Sequence, residues 1–524
     1  MSQRLTAFSG GGWHSLSALY GMIAGALDVL EDEGESRTLN RLFEGVDAIS
    51  ANSGGAWALT ALASSAGIQT AFENRSGTDA ITGSGYLGQV KQAFEQLPRF
   101  GDFPETVSYL IYLMSPIGGY NYEWKQLVDD LIFTPAQDIP SGNFVSTEML
   151  DWTRGKQLVI ATGLSAVQSG EGVLPPQPLV VAKNPQRLGP INNVEAYASS
   201  TNIPAQTDII PLSLEIGSDS ATGSIYRIPG SQSVQINYQS TSGFLRSTSE
   251  VNPMGRANGL SLTSPSVMSS AVLAPYANVI PFQDAGNLAP LVSLRNSGIE
   301  SLPRTLLRGN EQEAHSAAAE NSLVRTKDGG FIDNSSLAYG LSSLHNEKGL
   351  KDDFKVSSFI NKAESPEETW SDVTLSNGES IKLPFEVSML FGIDLDGQRL
   401  PENDSYIKQD FDVPIMQPNT VLFETDALTG LEAKPDWSYQ LDGTEWELQQ
   451  WSIDVTTIEN KTFDIPAGIA GEISFFILSN PASDSMAFNN NILDQYDRNF
   501  NGYREALNSP EGKSLIADSF AFSY

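Results

Sequence analysis

The chain has 524 residues, with 63 Asp and Glu against 31 Lys and Arg, a formal net charge of −32. That balance excludes a nucleic-acid partner, because no basic face is available to neutralise phosphates, and it opposes tight docking on anionic lipid. The lack of cysteine excludes disulfides, thiolate metal sites and a cysteine nucleophile. The first 165 residues alternate strand and helix signals, with strands at 4–8, 45–50 and 156–163 and helices at 13–31, 54–66, 87–96, 104–115 and 122–133. Such alternation predicts an α/β layer fold with a mainly parallel sheet. Asn74 to Gly88 is rich in Gly, Ser and Thr and reads as a loop. Residues 166–265 turn to Ser, Gly, Pro, Asn and Thr with short alternating runs at Ser224–Ile228 and Ser233–Tyr238, which predicts an inserted β-rich cap. Helical small-residue packing returns at 266–280. Strands near 386–394 and 472–479 and an amphipathic helix near 489–508 complete the second part of the α/β lobe. The expected division is therefore 1–165, 166–265 and 266–524.

Three segments carry chemistry. Val46 to Trp57 reads as an apolar strand, a tight turn with Ser53 at its tip, and a small-residue helix. That is the G-x-S-x-G nucleophile elbow, with Ala51 in place of the first glycine. Leu5 to His14 is a second apolar run, ending in Gly10, Gly11 and Gly12 before a helix with Leu16, Leu19, Ile23, Leu27 and Leu30 on one face. Bare glycine N–H groups at a helix start suit an oxyanion hole or a phosphate cradle. The dinucleotide fingerprint is incomplete, because Ser15 stands where its third glycine belongs, and no Gly-Lys-Ser/Thr follows. The third segment is Lys327 to Asn334, an Asp-Gly-Gly turn followed shortly by Asn.

Taken in order, Gly-Gly-Gly, the serine elbow and Asp-Gly-Gly resemble the patatin-like and cytosolic phospholipase A2 superfamily. The resemblance covers roughly residues 4–66 and 320–345. It implies a three-layer α/β lobe with a mainly parallel central sheet and an inserted cap. It also implies Ser53 as nucleophile, Asp328 as its catalytic aspartate, and Gly11, Gly12 and Gly54 as oxyanion donors. The 275 residues between Ser53 and Asp328 look more like the cytosolic branch, where a cap is inserted. The run Phe385 to Asp396 resembles the strand that follows the aspartate there, and 266–280 resembles the Ser-Ala-Ala-Pro segment that precedes it. The function implied is a lipid acyl-ester hydrolase working through a Ser–Asp dyad and an acyl-enzyme. It needs no cofactor and no metal, and its partners are a lipid ester and, transiently, a membrane or micelle surface.

One departure is His14, at the position where the superfamily carries Arg or Lys. A histidine is largely neutral near pH 7 and makes no bidentate phosphate contact, so substrate binding at His14 favours neutral or zwitterionic lipids. Two rivals stand beside the dyad. One is a catalytically weak lipid-binding protein of the same fold. The other is a Ser–Asp–His triad esterase using His345, since the only histidines are His14, His315 and His345. The run Asp497 to Gly502 resembles the start of a calcium loop, but its twelfth position is Asn508 rather than a bidentate Glu, and the region reads as helix. No apolar run reaches the ~18 residues of a spanning helix. No charged n-region with an apolar h-region precedes the first strand, so a cytoplasmic location, peripheral at membranes, is expected.

Overall fold

The computed structural model describes residues 2–98, 100, 109–110, 112–113, 124–141, 149–165, 209–216, 226–227, 237–239, 262–271, 291–293, 323–362, 370–400, 420–460, 463, 465–480 and 490–522. The strands are β1 (Arg4–Phe8), β2 (Ala48–Asn52), β3 (Gln157–Ser165), β4 (Ile209–Ile216), β5 (Tyr226–Arg227), β6 (Asn237–Gln239), β7 (Leu291–Ser293), β8 (Leu323–Asp328), β9 (Phe354–Lys362), β10 (Trp370–Thr374), β11 (Ser380–Pro384), β12 (Trp437–Gln440), β13 (Glu447–Thr456) and β14 (Ala470–Ser479). Twelve of them form one sheet, and β10 and β11 form a separate antiparallel hairpin. The middle of the large sheet, β14-β9-β1-β2-β3, is parallel throughout. Antiparallel strands extend it at both sides: β13 and β12 beyond β14, and β4 and β8 beside β3.

The parallel strands are apolar on both faces, as a sheet covered by helices requires. On β1, Phe8 enters one core while Leu5 and Ala7 enter the other; on β2, Ile49 and Ala51 oppose Ala48 in the same way. Helices α1 (Gly12–Asp32), α2 (Ser53–Ser64), α5 (Asn490–Leu507) and α6 (Pro510–Phe520) cover the first face. Helix α4 (Leu337–Lys348) covers the second. The short helix α3 (Ser264–Ser269) packs against α2. The result is a three-layer α/β architecture with a parallel centre, as the alternation predicts.

Two expectations need correction. Residues 74–88 are not one loop: Asn74 accepts from the Ser76 N–H at 3.1 Å and caps a helix over Arg75–Ala80, and the next helix starts at Tyr86. The run from Phe385 is helical over Phe385–Leu390, not a strand. The strand that follows the aspartate is β9, which the periodicity does not reveal. The calcium-like run lies within α5, where Asp497 pairs with Lys91 at 2.7 Å. Of the expected cap, the described pieces are β4, β5, β6 and residues 262–265. Here β4 pairs with β3, and β6 reaches the sheet through β7. The rest of 166–265 lies outside the described residues.

The C-terminal helix α5 is locked onto α1 by close approach and by buried charge. A Cβ at Gly21 would stand 2.4 Å from the Phe500 carbonyl oxygen, so only glycine lets the two backbones meet. Two turns on, the buried Asp28 carboxylate holds Arg37 at 2.5 Å and also takes Arg504, which reaches on to Asp79 at 2.6 Å. Removing the shared anion leaves the two guanidinium groups only their second, more exposed partners, Glu31 and Asp79. Asp28→Ala should therefore lose about 3–5 kcal/mol of stability. Most of that loss should persist in 1 M salt, because buried pairs are little screened. Urea unfolding at low and high salt measures both; a loss under 1 kcal/mol, or one erased by salt, contradicts this account.

Candidate active site

Strands β1 and β2 run side by side in register, Phe8 opposite Ala51, and both end in turns that lead into helices. The Gly10–Gly12 turn starts α1, with φ of 129° at Gly11 and 55° at Gly12. The Asn52–Ser53 turn starts α2, and Ser53 sits at φ 48°, a left-handed conformation that is uncommon for a residue with a side chain. The two turns touch. A Cβ on Gly54 would lie 1.9 Å from the Gly12 carbonyl oxygen, and one on Gly55 2.7 Å from that of Ser9.

The glycine turn is pinned from below. Gly10 N–H donates to the Asn334 carbonyl at 3.0 Å, Asn361 N–H to Ser9 Oγ at 3.0 Å, and Ser15 Oγ to the Ser9 carbonyl at 2.7 Å. The elbow is pinned from the side. Ser53 N–H donates to Ser269 Oγ at 2.8 Å, and Trp57 Nε1 donates to Ser270 Oγ at 2.9 Å. Ser266 Oγ meets Thr60 Oγ1 at 2.6 Å. Among the described residues none accepts from the N–H groups of Gly11, Gly12 or Gly54. The latter two open helices, where the first-turn donors have no intrahelical partner.

Asp328 ends β8, which runs antiparallel to the second half of β3. That register delivers it to the elbow: its carboxyl accepts the Gly330 N–H at 2.8 Å, and the side chains of Ser53 and Asn52 favour its ionised form. Ser53 and Asp328 are only 8% and 6% exposed. Burial pushes the Asp328 carboxyl up to about 6, against the Gly330 N–H and the Ser53 and Asn52 side chains, which pull it down. Asp333 lies close in sequence but has another task. Burial raises it to about 6 as well, and its oxygens take Ser335 N–H at 3.0 Å and Ala338 N–H at 2.7 Å, closing the start of α4.

The other expected residues are placed apart. His14 is buried on α1, and its Nδ1 lies 3.4 Å from Asn499 Nδ2 on α5. His345 lies on the last turn of α4, where Nδ1 accepts the Leu350 N–H at 3.2 Å. Its neighbours Ser343 and Lys348 bond Gln157 and Asp47, at the starts of β3 and β2. Ser53 follows the end of β2, so His345 is at the opposite end of the parallel strands, and the triad has no imidazole from it. His315 is outside the described residues. Sequence reasoning assigned no role to Asn52, Ser269, Asn334 or Glu386, although the first three stand inside the segments that carry the resemblance. Beside the two turns lies a small apolar cavity lined by Trp13, Trp57, Phe94, Leu110, Trp124 and Leu131, among others.

No family model and no curated protein matches the chain by sequence. Among solved structures it is similar to human group IVD cytosolic phospholipase A2, at 9% identity and a TM-score of 0.38 over 99% of this chain. The chain spans 63% of that protein's length. Among the described residues no helix is long and apolar enough to cross a membrane.

The raised Asp328 has a consequence for stability. Its folded-state pKa of about 6 lies above the ordinary 3.8, so the folded protein holds more protons than the unfolded chain between those values. Stability therefore falls as pH rises through that window. Asp328→Asn should stabilise the protein by about 1–3 kcal/mol at pH 8. The gain should vanish below pH 4, where the native carboxyl is already neutral. Urea titrations of both proteins at the two pH values decide it, and equal stability at pH 8 would count against a buried ionised base.

Proposed function

We propose that the protein is a serine acyl-ester hydrolase acting on lipid esters through a Ser53–Asp328 dyad. The observation that carries this reading is Ser53, held at positive φ on a strand-turn-helix beside a buried carboxylate whose ionised form its side chain favours. Ser53 Oγ attacks the ester carbonyl and its proton passes to Asp328. The N–H groups of Gly11, Gly12 and Gly54 receive the developing oxyanion, two of them reinforced by helix N-termini. The protonated Asp328 then gives its proton to the leaving alcohol. Water, deprotonated by the same carboxylate, releases the acid and restores Ser53. A base near 6 is ionised at neutrality yet basic enough to share the serine proton in the transition state. No imidazole, metal or organic cofactor enters this sequence of steps. Residues 166–265 are proposed to complete the site as its cap.

A fluorophosphonate should label Ser53, located by peptide mass mapping, and Ser53→Ala should not react. Asp328→Asn should slow labelling and ester turnover by about 10²–10⁴-fold, and wild-type activity should fall away below pH 6. Labelling at another serine, or none in folded protein, removes the enzyme reading and leaves a lipid-binding protein. Gly54→Ala must push the Gly12 peptide away and should cost about 10²-fold or more. With a net charge of −32 and no fixed cation at His14, zwitterionic vesicles should be hydrolysed faster than anionic ones. The gap should narrow as salt is raised. Faster turnover on anionic vesicles at every salt concentration contradicts the substrate preference.

A further inference from the structure

We propose that Asn334, Glu386 and Lys362 are positioning residues that act through Asn52 on Asp328. The proposal rests on the Ser53–Asp328 reading and extends it to groups that touch no substrate. From the end of β9, Lys362 Nζ lies 3.2 Å from Glu386 Oε2. Glu386 Oε1 accepts from Asn334 Nδ2 at 2.9 Å, and Asn334 Oδ1 accepts from Asn52 Nδ2 at 3.2 Å. Asn52 Nδ2 and Asp328 Oδ1 each lie 3.1 Å from where a Cβ on Gly330 would stand, and the Asn52 side chain favours the ionised carboxylate. Glu386 is 2% exposed and Asn52 is fully buried.

The polarity of this line has one solution. An amide is ambiguous end for end, but a carboxylate only accepts and an ammonium only donates. Glu386 forces Asn334 to turn its NH2 group outward along the line and its carbonyl toward Asn52. Asn52 must then present its own NH2, the group that also serves Asp328. There is no slack for another arrangement: a Cβ on Gly10 would stand 2.3 Å from Asn334 Oδ1, and one on Gly329 2.5 Å from Asn52 Oδ1. A buried ion pair contributes little stability over an apolar pair of the same size. Its value here is that it orients two amides.

The charged and titratable groups around the line are Asp333, Glu386 and Lys362. Asp333 is engaged at the start of α4 and is raised by Glu386. On Asp328 itself the acting influences are burial and the bonds from Gly330, Ser53 and Asn52. Glu386 and Lys362 thus reach the base through the amides, and removing both leaves the net charge unchanged.

The test measures the rate of Ser53 labelling by a fluorophosphonate from pH 4.5 to 8.5 on the full chain. Glu386→Leu with Lys362→Met should move the midpoint up by about one unit and slow labelling about tenfold at pH 6, because Asn52 no longer holds its NH2 on the carboxylate. Glu386→Gln with Lys362→Met keeps an acceptor for Asn334 and should restore the wild-type profile. Asn334→Ala should behave like the apolar pair, and decides the matter if that pair does not fold. A wild-type midpoint and rate in a folded apolar-pair variant overturns the proposal. So does an equal shift with Glu386→Gln, which would make charge and not orientation responsible. Wild-type protein that fails to label at Ser53 overturns the dyad itself, a result that needs none of the variants.

Discussion

Everything at this site depends on the contact between Gly54 and the Gly12 peptide. Two neighbouring parallel strands end at the same level, and each chain turns at once into a helix. Helix N-termini placed this close bring their unsatisfied N–H groups to one spot. The approach is possible only where no side chain intervenes, since a Cβ at position 54 would fall within bonding distance of the Gly12 oxygen. The same contact holds Ser53 at its positive φ. A strained residue persists when its surroundings over-determine it, and here they do: the preceding strand is paired on both edges, the following helix is pressed against the glycine turn, and the Ser53 N–H is fixed by Ser269. With that N–H occupied, the first donor left open on the elbow is Gly54.

The support around this contact is made of short polar side chains. Ser9, Ser15 and Asn361 hold the glycine turn; Ser266, Ser269 and Ser270 hold the elbow; Ser50 meets Ser336 beneath them at 3.2 Å. Hydroxyls satisfy buried donors and acceptors with little volume and without charge, so the turns can stay close-packed. The consequence is a dry surrounding for Asp328. A carboxylate in water, near 4, is a weak base; burial alone carries this one toward the range in which an aspartate abstracts a proton from serine. Under the proposed dyad the work an imidazole would perform falls to desolvation, and its cost appears as reduced stability above pH 6.

What the sequence made legible follows from which signals are local. A strand that stops at a glycine or serine turn and restarts as a 3.6-residue pattern is written within a dozen residues, so β1, α1, β2 and α2 and their turns could be read directly. Strand β9 could not, because both its faces are buried and Ser357 and Ser358 break any alternation. The apolar run from Phe385 suits strand or helix equally, and the β10–β11 hairpin that precedes it decides for helix through tertiary packing. Asn74 lies in a composition that signals a loop, yet asparagine is also a preferred helix cap, and here it is one. Asn52 and Asn334 were in plain view; their partnership was not, because 282 residues separate them. Glu386 was hidden twice, by distance and by the ambiguity of its own element.

Charge is distributed in two populations that respond to salt in opposite ways. Several of the 31 cationic residues are used internally as staples: Arg37 and Arg504 on Asp28, and Lys362 on Glu386. The excess acid lies on the surface, where like charges repel across less than a Debye length at low ionic strength. Raising salt screens the repulsion between exposed carboxylates long before it weakens a pair inside the protein. The same screening lowers the barrier to approaching an anionic interface. Folding and adsorption are thus pushed in the same direction by one variable, while the active centre is insulated from it, because the groups acting on Asp328 are hydrogen bonds and burial rather than exposed charge. On the proposed reading, ionic strength would govern approach to an anionic interface and leave the chemistry to Ser53, Asp328 and the glycine turn.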